Sequence, residues 1–487
     1  MKFISLTFMG LLALLLSSCL PKERFWWAPD GQRAVVALDD GLHLVQADGL
    51  PGPLLLGASG ESSEIAATVS WQQDGNGFVT NRIHRLNSWA EVKKLIPQEE
   101  AAHVETLARS IPSLIAAWIA SKNGEKTDEY LTGWSLLQAK ESLAPAIHLA
   151  YETQKDAVEA ELRKAPVGAA TLDDLQKPEH RYTVYELCLV KLKGDQREGE
   201  PASIVRSLAP LAFGKMSPKF PVVSYFRSVD EGKNVALVMS SLDGKSHLEI
   251  ARSVSATCDW TSDGRSLVYV ASVTGGEESI LQYVRRATVL GAEGKWLHAD
   301  AEKEEADRIK ITDLALALMP ASPRVIALPD GRVLFAGQPA TLPAPGAGPE
   351  VEPRLFLVSA DAKTVTQVPT AAGDLPENLG YFAASPDGAH VAVVESGTDA
   401  VAVVHLETGK TEIISPAHPR WQGRTLPDWK APTELTFAAL HDGTPQWMLW
   451  KQGERVRCIS EKWPAALTQE WLEEKKKEEQ PAAASTP

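Results

Sequence analysis

Six times along the chain an apolar or aromatic run meets Asp-Gly and continues as a second run of alternating Val, Leu, Ala and aromatic residues. The segments are FWWAPDGQRAVVAL (25–38), VSWQQDGNGFVTN (69–81), CDWTSDGRSLVYVAS (258–272), VIALPDGRVLFAG (325–337), YFAASPDGAHVAVVES (381–396) and LTFAALHDGTPQWMLW (435–450). Each reads as a β-hairpin. Glycine enters the turn with φ > 0 without a Cβ clash, and the aspartate bonds the backbone beside it. The turn pairs are Asp30-Gly31, Asp74-Gly75, Asp263-Gly264, Asp330-Gly331, Asp387-Gly388 and Asp442-Gly443. Pro29, Pro329 and Pro386 pre-set φ at the turn entrance and offer no amide hydrogen. Alternation of apolar residues after the turn gives strands with a buried face.

A second hairpin follows several of these turns, so a unit holds four short strands, which is the blade of a β-propeller. A seventh unit, 222–252, carries Asp230-Glu231-Gly232 and a second turn at Asp243-Gly244. In the seventh blade three strands are legible, at 434–440, 446–451 and 454–460, and WQGRTLPDW is taken as the connection before it. The expected fold is all-β: a seven-bladed propeller of four-stranded blades, with Trp27, Trp71 and Trp260 packing between blades.

Trp27-Ala28-Pro29-Asp30-Gly31, Trp260-Thr261-Ser262-Asp263-Gly264 and Ala384-Ser385-Pro386-Asp387-Gly388 resemble the W-S-P-D-G-like run of the WD40-like PD40 repeat of TolB-type propellers. The resemblance covers roughly 25–85 and 181–465. It implies a fold and carries no activity with it.

The repeat is interrupted between 87 and 180, where strand signals give way to helical ones. Ser88 and Glu91 fit a capping box. Helices are expected at 98–109, 113–122, 128–140 and 146–164, broken by Pro97, Pro112, Gly124 and Pro145. This helical insertion falls in the connection between the second and third strands of the second blade. The propeller is therefore divided into 25–86 and 181–465. A charged loop around 299–310, a Pro- and Gly-rich loop at 338–353, and a charged helix fading into a disordered tail at 466–487 read as solvated surface.

The first residues, MKFISLTFMGLLALLLSSC, follow the charged, apolar, then small-residue plan of a secretory signal. Leu16-Ser17-Ser18-Cys19 resembles the lipobox of bacterial lipoproteins. The resemblance implies a signal peptide over 1–18, cleavage between Ser18 and Cys19, acylation of Cys19, and a tether over 19–24. Leu rather than Asp at position 20 implies, by the enterobacterial rule, the outer membrane. The partner implied there is the membrane itself, held through the N-terminal lipid. The apolar run is short for a span of about 17 to 25 residues.

Chemistry is sparse by comparison. Of 487 residues, 49 are Lys or Arg and 63 Asp or Glu, a net charge of −14, which excludes a general nucleic-acid binder. Cys188, Cys258 and Cys458 lack metal or redox spacing and read as buried small apolar residues. No G-x-S-x-G and no HExxH occurs. Gly409-Lys410-Thr411 lacks the upstream glycine of a phosphate loop and reads as a hairpin turn. His103 and His148 read as packed or surface imidazoles, and Asp39-Asp40 and Asp173-Asp174 as turn residues. No catalytic residue, metal or cofactor is assigned. Trp421 and Trp429 stand out as candidate partner contacts. The implied function is a non-catalytic, lipid-anchored envelope protein that binds a protein or a surface polysaccharide. An envelope glycan lyase or hydrolase working over the central channel, and an accessory factor of outer-membrane assembly, are the alternatives.

Overall fold

A computed structural model describes residues 25–463, apart from 39, 47–49, 58–62, 123–126, 139, 141, 178–180, 274–280, 300–302, 321, 341–353, 370–378, 396–399, 416–425 and 442–443. The lipobox with Ser18 and Cys19, Trp421, the Asp442-Gly443 turn, most of the Pro-rich loop and the tail over 466–487 lie outside the described residues.

The described strands form consecutive groups of four, each an antiparallel meander. The first group runs from Phe25–Trp27 through Arg33–Leu38 and Gly41–Gln46 to Pro51–Gly57. The second holds Ser63–Trp71, Gly77–Leu86, Tyr182–Lys193 and Ala202–Ser207, with the two-residue strand Gln196–Arg197 added as a fifth beside the end of Tyr182–Lys193. Five more begin at Leu211–Met216, Val254–Trp260, Val325–Ala327, Leu379–Ala384 and Asp428–Ala431. The fourth and fifth groups also join at the rim, where Ala317 and Leu318 pair with Pro339 and Gln338. Central strands such as His390–Glu395 are buried along almost their whole length, whereas outer strands such as Thr411–Ser415 stay largely open. That contrast follows when both faces of a sheet are covered by neighbouring sheets while its outer edge meets water.

The core lies in the seams. Val79, Leu187 and Tyr225 fill the space between the second and third blades, and Leu334, Phe382 and Val393 that between the fifth and sixth. The ring closes between its ends. Phe25 packs edge-on against Trp447 at 5.4 Å, and the Trp27 amide donates to Asp428 Oδ2 at 2.8 Å. The Trp27 indole N–H donates to Thr436 Oγ1 at 3.0 Å.

Two blades are phased differently from the sequence reading. In the third, the first strand is Leu211–Met216, which makes Asp230-Glu231-Gly232 the second turn of the unit. In the seventh, the first strand is Asp428–Ala431, within the stretch read as a connection, and 442–443 joins the second and third strands. Neither first turn contains Asp-Gly. Ser217 to Pro221 makes one and Pro432-Thr433 the other, so the marker sits one hairpin late.

Between Gly77–Leu86 and Tyr182–Lys193 the described residues form six helices: α1 Trp89–Val92, α2 Gln98–Ser121, α3 Thr127–Gln138, α4 Leu143–Thr153, α5 Lys155–Leu162 and α6 Gly168–Gln176. Ser88 and Glu91 form the capping box that starts α1. Pro112 does not break the second helix as its sequence suggests. A proline there leaves the Ala108 carbonyl without its i+4 donor. The Gln154 side-chain amide, arriving from between α4 and α5, donates to that oxygen at 3.0 Å. Gln154→Ala is therefore expected to cost about 1 kcal/mol in urea unfolding. In a Pro112→Ala background, where residue 112 regains its N–H, the same change should cost less. A double-mutant cycle reads the difference.

Candidate functional site

Five of the predicted Asp-Gly turns, at residues 30–31, 74–75, 263–264, 330–331 and 387–388, join the first and second strands of their blades and so share one face of the ring. Gly31, Gly75, Gly264, Gly331 and Gly388 have φ between +64° and +87°. The aspartate before each accepts from the amide two residues on, as Asp30 Oδ1 does from Gln32 at 3.0 Å and Asp387 Oδ1 from Ala389 at 3.1 Å. Glycine is required twice over at position 31. Besides its positive φ, a Cβ there would stand 2.5 Å from the Lys430 carbonyl oxygen of the seventh blade. These residues shape the turns of the ring.

Polar groups on the innermost strands stitch one blade to the next. The indole N–H of Trp71 donates to the Trp26 carbonyl, that of Trp260 to the Lys215 carbonyl, and that of Trp429 to the Ala383 carbonyl, at 2.8–3.0 Å. In the opposite sense, Ser70 Oγ accepts from the Met216 amide and Asp259 Oδ2 from the Ala327 amide. Asp259 also meets Lys215 Nζ at 2.6 Å. The Trp429 expectation is corrected here. This residue is buried between the sixth and seventh blades and is not an exposed contact, because it lies on the first strand of its blade and its indole bonds the blade before, as those of Trp71 and Trp260 do. The sequence hid the equivalence for want of Asp-Gly after it.

Among the described residues, no three His, Cys, Asp or Glu side chains gather as metal ligands would. The most concentrated charge is in the second blade. Glu186, 1 % exposed, accepts from His84 Nε2 at 2.8 Å and from Arg206 Nε at 2.7 Å, with Arg82 at 3.7 Å. Burial alone would push this carboxyl up. The His84 hydrogen bond, with the charge and hydrogen bond of Arg206, overcomes it and holds the group down at about 2. Burial drives the neighbouring Cys188 thiol up to about 12, which keeps it in the thiol form at neutral pH. Cys188, Cys258 and Cys458 are all free thiols. His390 faces His405 edge-on at 5.1 Å beneath Trp429, and burial, then His405, lowers its pKa. His148 is also lowered, by burial and then by Arg181, within the helical layer.

That layer is the feature a plain ring lacks. Antiparallel order puts the second-to-third-strand connections at the same end of the sheets as the starts of the innermost strands, opposite those five first-to-second-strand turns. The helices stand on that end around their own apolar core of Trp89, Ile111, Trp134 and Ile147, which runs into Tyr182, Val184 and Leu208 of the ring. Glu100 Oε1 accepts from Ser207 Oγ and from the Leu208 amide, at 3.0 and 2.8 Å. The Ser142 amide and hydroxyl donate to Glu231, on the Asp230-Glu231-Gly232 turn of the third blade. Two blades thus hold the layer. Leu114, Leu131 and Leu136 on its helices are each 38–44 % exposed. Nothing in the sequence pattern marked these leucines, because periodicity reports the buried side of a helix. No described helix is long and apolar enough to cross a membrane.

With the ring closed and its seams laid out, comparison with known proteins adds one family. The family described as "Lipoprotein LpqB beta-propeller domain" matches residues 356–444, within the fifth to seventh blades. The ring is a β-propeller. No curated protein matches. Among solved structures, the chain is similar to TolB from Acinetobacter baumannii at 15 % identity and a TM-score of 0.37, over 56 % of this chain and 58 % of that one. It is similar to the β-propeller domain of the Trilobed protease from Pyrococcus furiosus at 13 % identity and 0.36, over 57 % and 74 %. An oligogalacturonate lyase in complex with manganese shows 12 % identity and 0.34, over 88 % of each chain. The match thus spans little more than half of TolB. The propeller assignment rests on the strand order and the closing seam, and these distant likenesses say nothing of chemistry.

Proposed function

We propose that this propeller is a non-catalytic, lipid-anchored protein of the cell envelope that binds a protein or surface-polymer partner through its helical layer. The observation that carries the reading is that layer: helices with their own core, fastened to two blades, and carrying exposed leucines. A rigid platform loses little entropy on binding, and its apolar side chains supply contact area. The lipobox-like Leu16-Ser17-Ser18-Cys19 and the lipoprotein propeller family matched over 356–444 support an envelope address. The seam bonds of Asp259 and Asp428 support a structural rather than a catalytic use of the innermost carboxylates.

The test is capture from detergent-solubilised envelope with the full chain, alongside a Leu114→Asp, Leu131→Asp variant of unchanged melting temperature. A partner held by the native chain and at least tenfold depleted with the variant is expected. Equal recovery with both, or turnover of a small glycan by the purified protein, would overturn the reading.

A further inference from the structure

The seam that closes the ring has an unusual outer rim. Between the first and last blades lies a cavity of about 250 Å³, walled by Phe25, Val45, Ile459 and Trp463 and open beside Leu50 and Lys462. Trp463 stacks on Phe25 at 6.1 Å. Leu50 is 58 % exposed and Leu54, on the outer strand of the same blade, 47 %. The charge here runs against the rest of the molecule. A chain of net charge −14 carries Lys451, Arg455, Arg457 and Lys462 against Glu454 and Glu461 in its last described stretch. Lys451 pairs with Glu454 at 2.7 Å, and among the described residues Arg455, Arg457 and Lys462 are exposed and have no ion pair.

We propose that this rim is a docking surface for an anionic phospholipid bilayer. Apolar side chains and an aromatic ring flanked by exposed cations are the combination that lies at a lipid interface, leucine toward the acyl region and guanidinium or ammonium toward phosphate. Pairing with a foreign β-strand is disfavoured at this edge. Pro51 and Pro53 remove donors from the outer strand of the first blade, and the outer strand of the seventh is Arg457–Cys458, two residues long. The place suits the purpose as well. The chain enters the first sheet at Phe25, six residues after Cys19, at most about 20 Å of extended backbone. The proposal rests on the anchoring reading only for that distance. A basic patch is the kind of second signal that makes a lipid anchor firm.

Sedimentation with vesicles tests it on the mature chain, residue 19 onward, carrying Cys19→Ser so that no acyl group contributes. Binding to phosphatidylglycerol-containing vesicles is expected, weakening at high salt, with little on pure phosphatidylcholine. Arg457→Gln with Lys462→Gln should lower the partition roughly 25-fold, about fivefold per charge. Leu50→Asp should lower it further. The charge pair lies on the surface, so a change in its binding at unchanged melting temperature keeps the test clear of misfolding. No binding to anionic vesicles, or equal binding by variant and parent, would overturn the proposal. So would cross-links from the cavity wall to residues 464–487 without lipid, which would give the cavity to the chain's own end. The mass of the N-terminal peptide from cells separately reads acylation of Cys19. Its absence would end the anchoring reading and leave the vesicle result standing.

Discussion

Glu186→Gln is expected to cost about 3 to 5 kcal/mol of stability, among the largest effects of any single polar substitution in the molecule. The carboxylate is almost wholly buried and is the acceptor for His84 and Arg206 and the counter-charge for Arg82. Glutamine keeps the shape and removes the charge, which leaves two guanidinium groups facing a neutral amide in a partly buried site. Breaking a buried pair from one side carries that order of penalty. The pH dependence gives the prediction its sign. In the fold the group titrates at about 2, below the ordinary value of 4.5. Its contribution is therefore fully present above about pH 4.5 and is lost as pH falls toward 2, since the unfolded chain takes up the proton first. By linkage that contribution is on the order of 3 kcal/mol. Urea unfolding at stepped pH should show parent and variant far apart at neutrality and converging below pH 4.5. A gap unchanged down to pH 2.5 would mean that the charge is not what matters.

This site also shows where sequence reasoning stops. His84, Glu186 and Arg206 belong to the second, third and fourth strands of one blade, with the whole helical layer between the first two. No spacing links them, and only strand pairing, Arg82 with Glu186 on one side and Glu186 with Arg206 on the other, brings them together. The Asp-Gly turns were legible for the opposite reason, because the requirement lies in the backbone of four consecutive residues and leaves its mark there. Where a blade turns by another route, at Ser217 to Pro221 or at Pro432-Thr433, the mark is missing and the first strand went unseen. The capping box of Ser88 and Glu91 is local and was read correctly. Pro112 was misread because its remedy, Gln154, lies 42 residues away. The exposed leucines and the cationic rim are properties of assembled surfaces, to which residues far apart in sequence contribute.

Trp429 separates the two uses of tryptophan in this fold. Its ring lies between the sixth and seventh blades, 6.2 Å from Trp450 and nearly perpendicular to it, and its indole N–H is bonded to the Ala383 carbonyl. Trp429→Ala empties a space that two sheets share and orphans that carbonyl, so a loss of about 3 to 5 kcal/mol is expected. Trp429→Phe keeps most of the packing and removes the donor, for about 1 to 2 kcal/mol. Equivalent changes at Trp71 and Trp260, whose indoles make the same bond one blade back, should fall in the same order. A contact anchor behaves otherwise: its truncation leaves melting unchanged and abolishes capture. Measured side by side at a temperature where both variants are folded, Trp429→Phe should retain the partner and Leu131→Asp should lose it. The reverse pattern would move the binding surface from the helical layer to the seam between the last two blades.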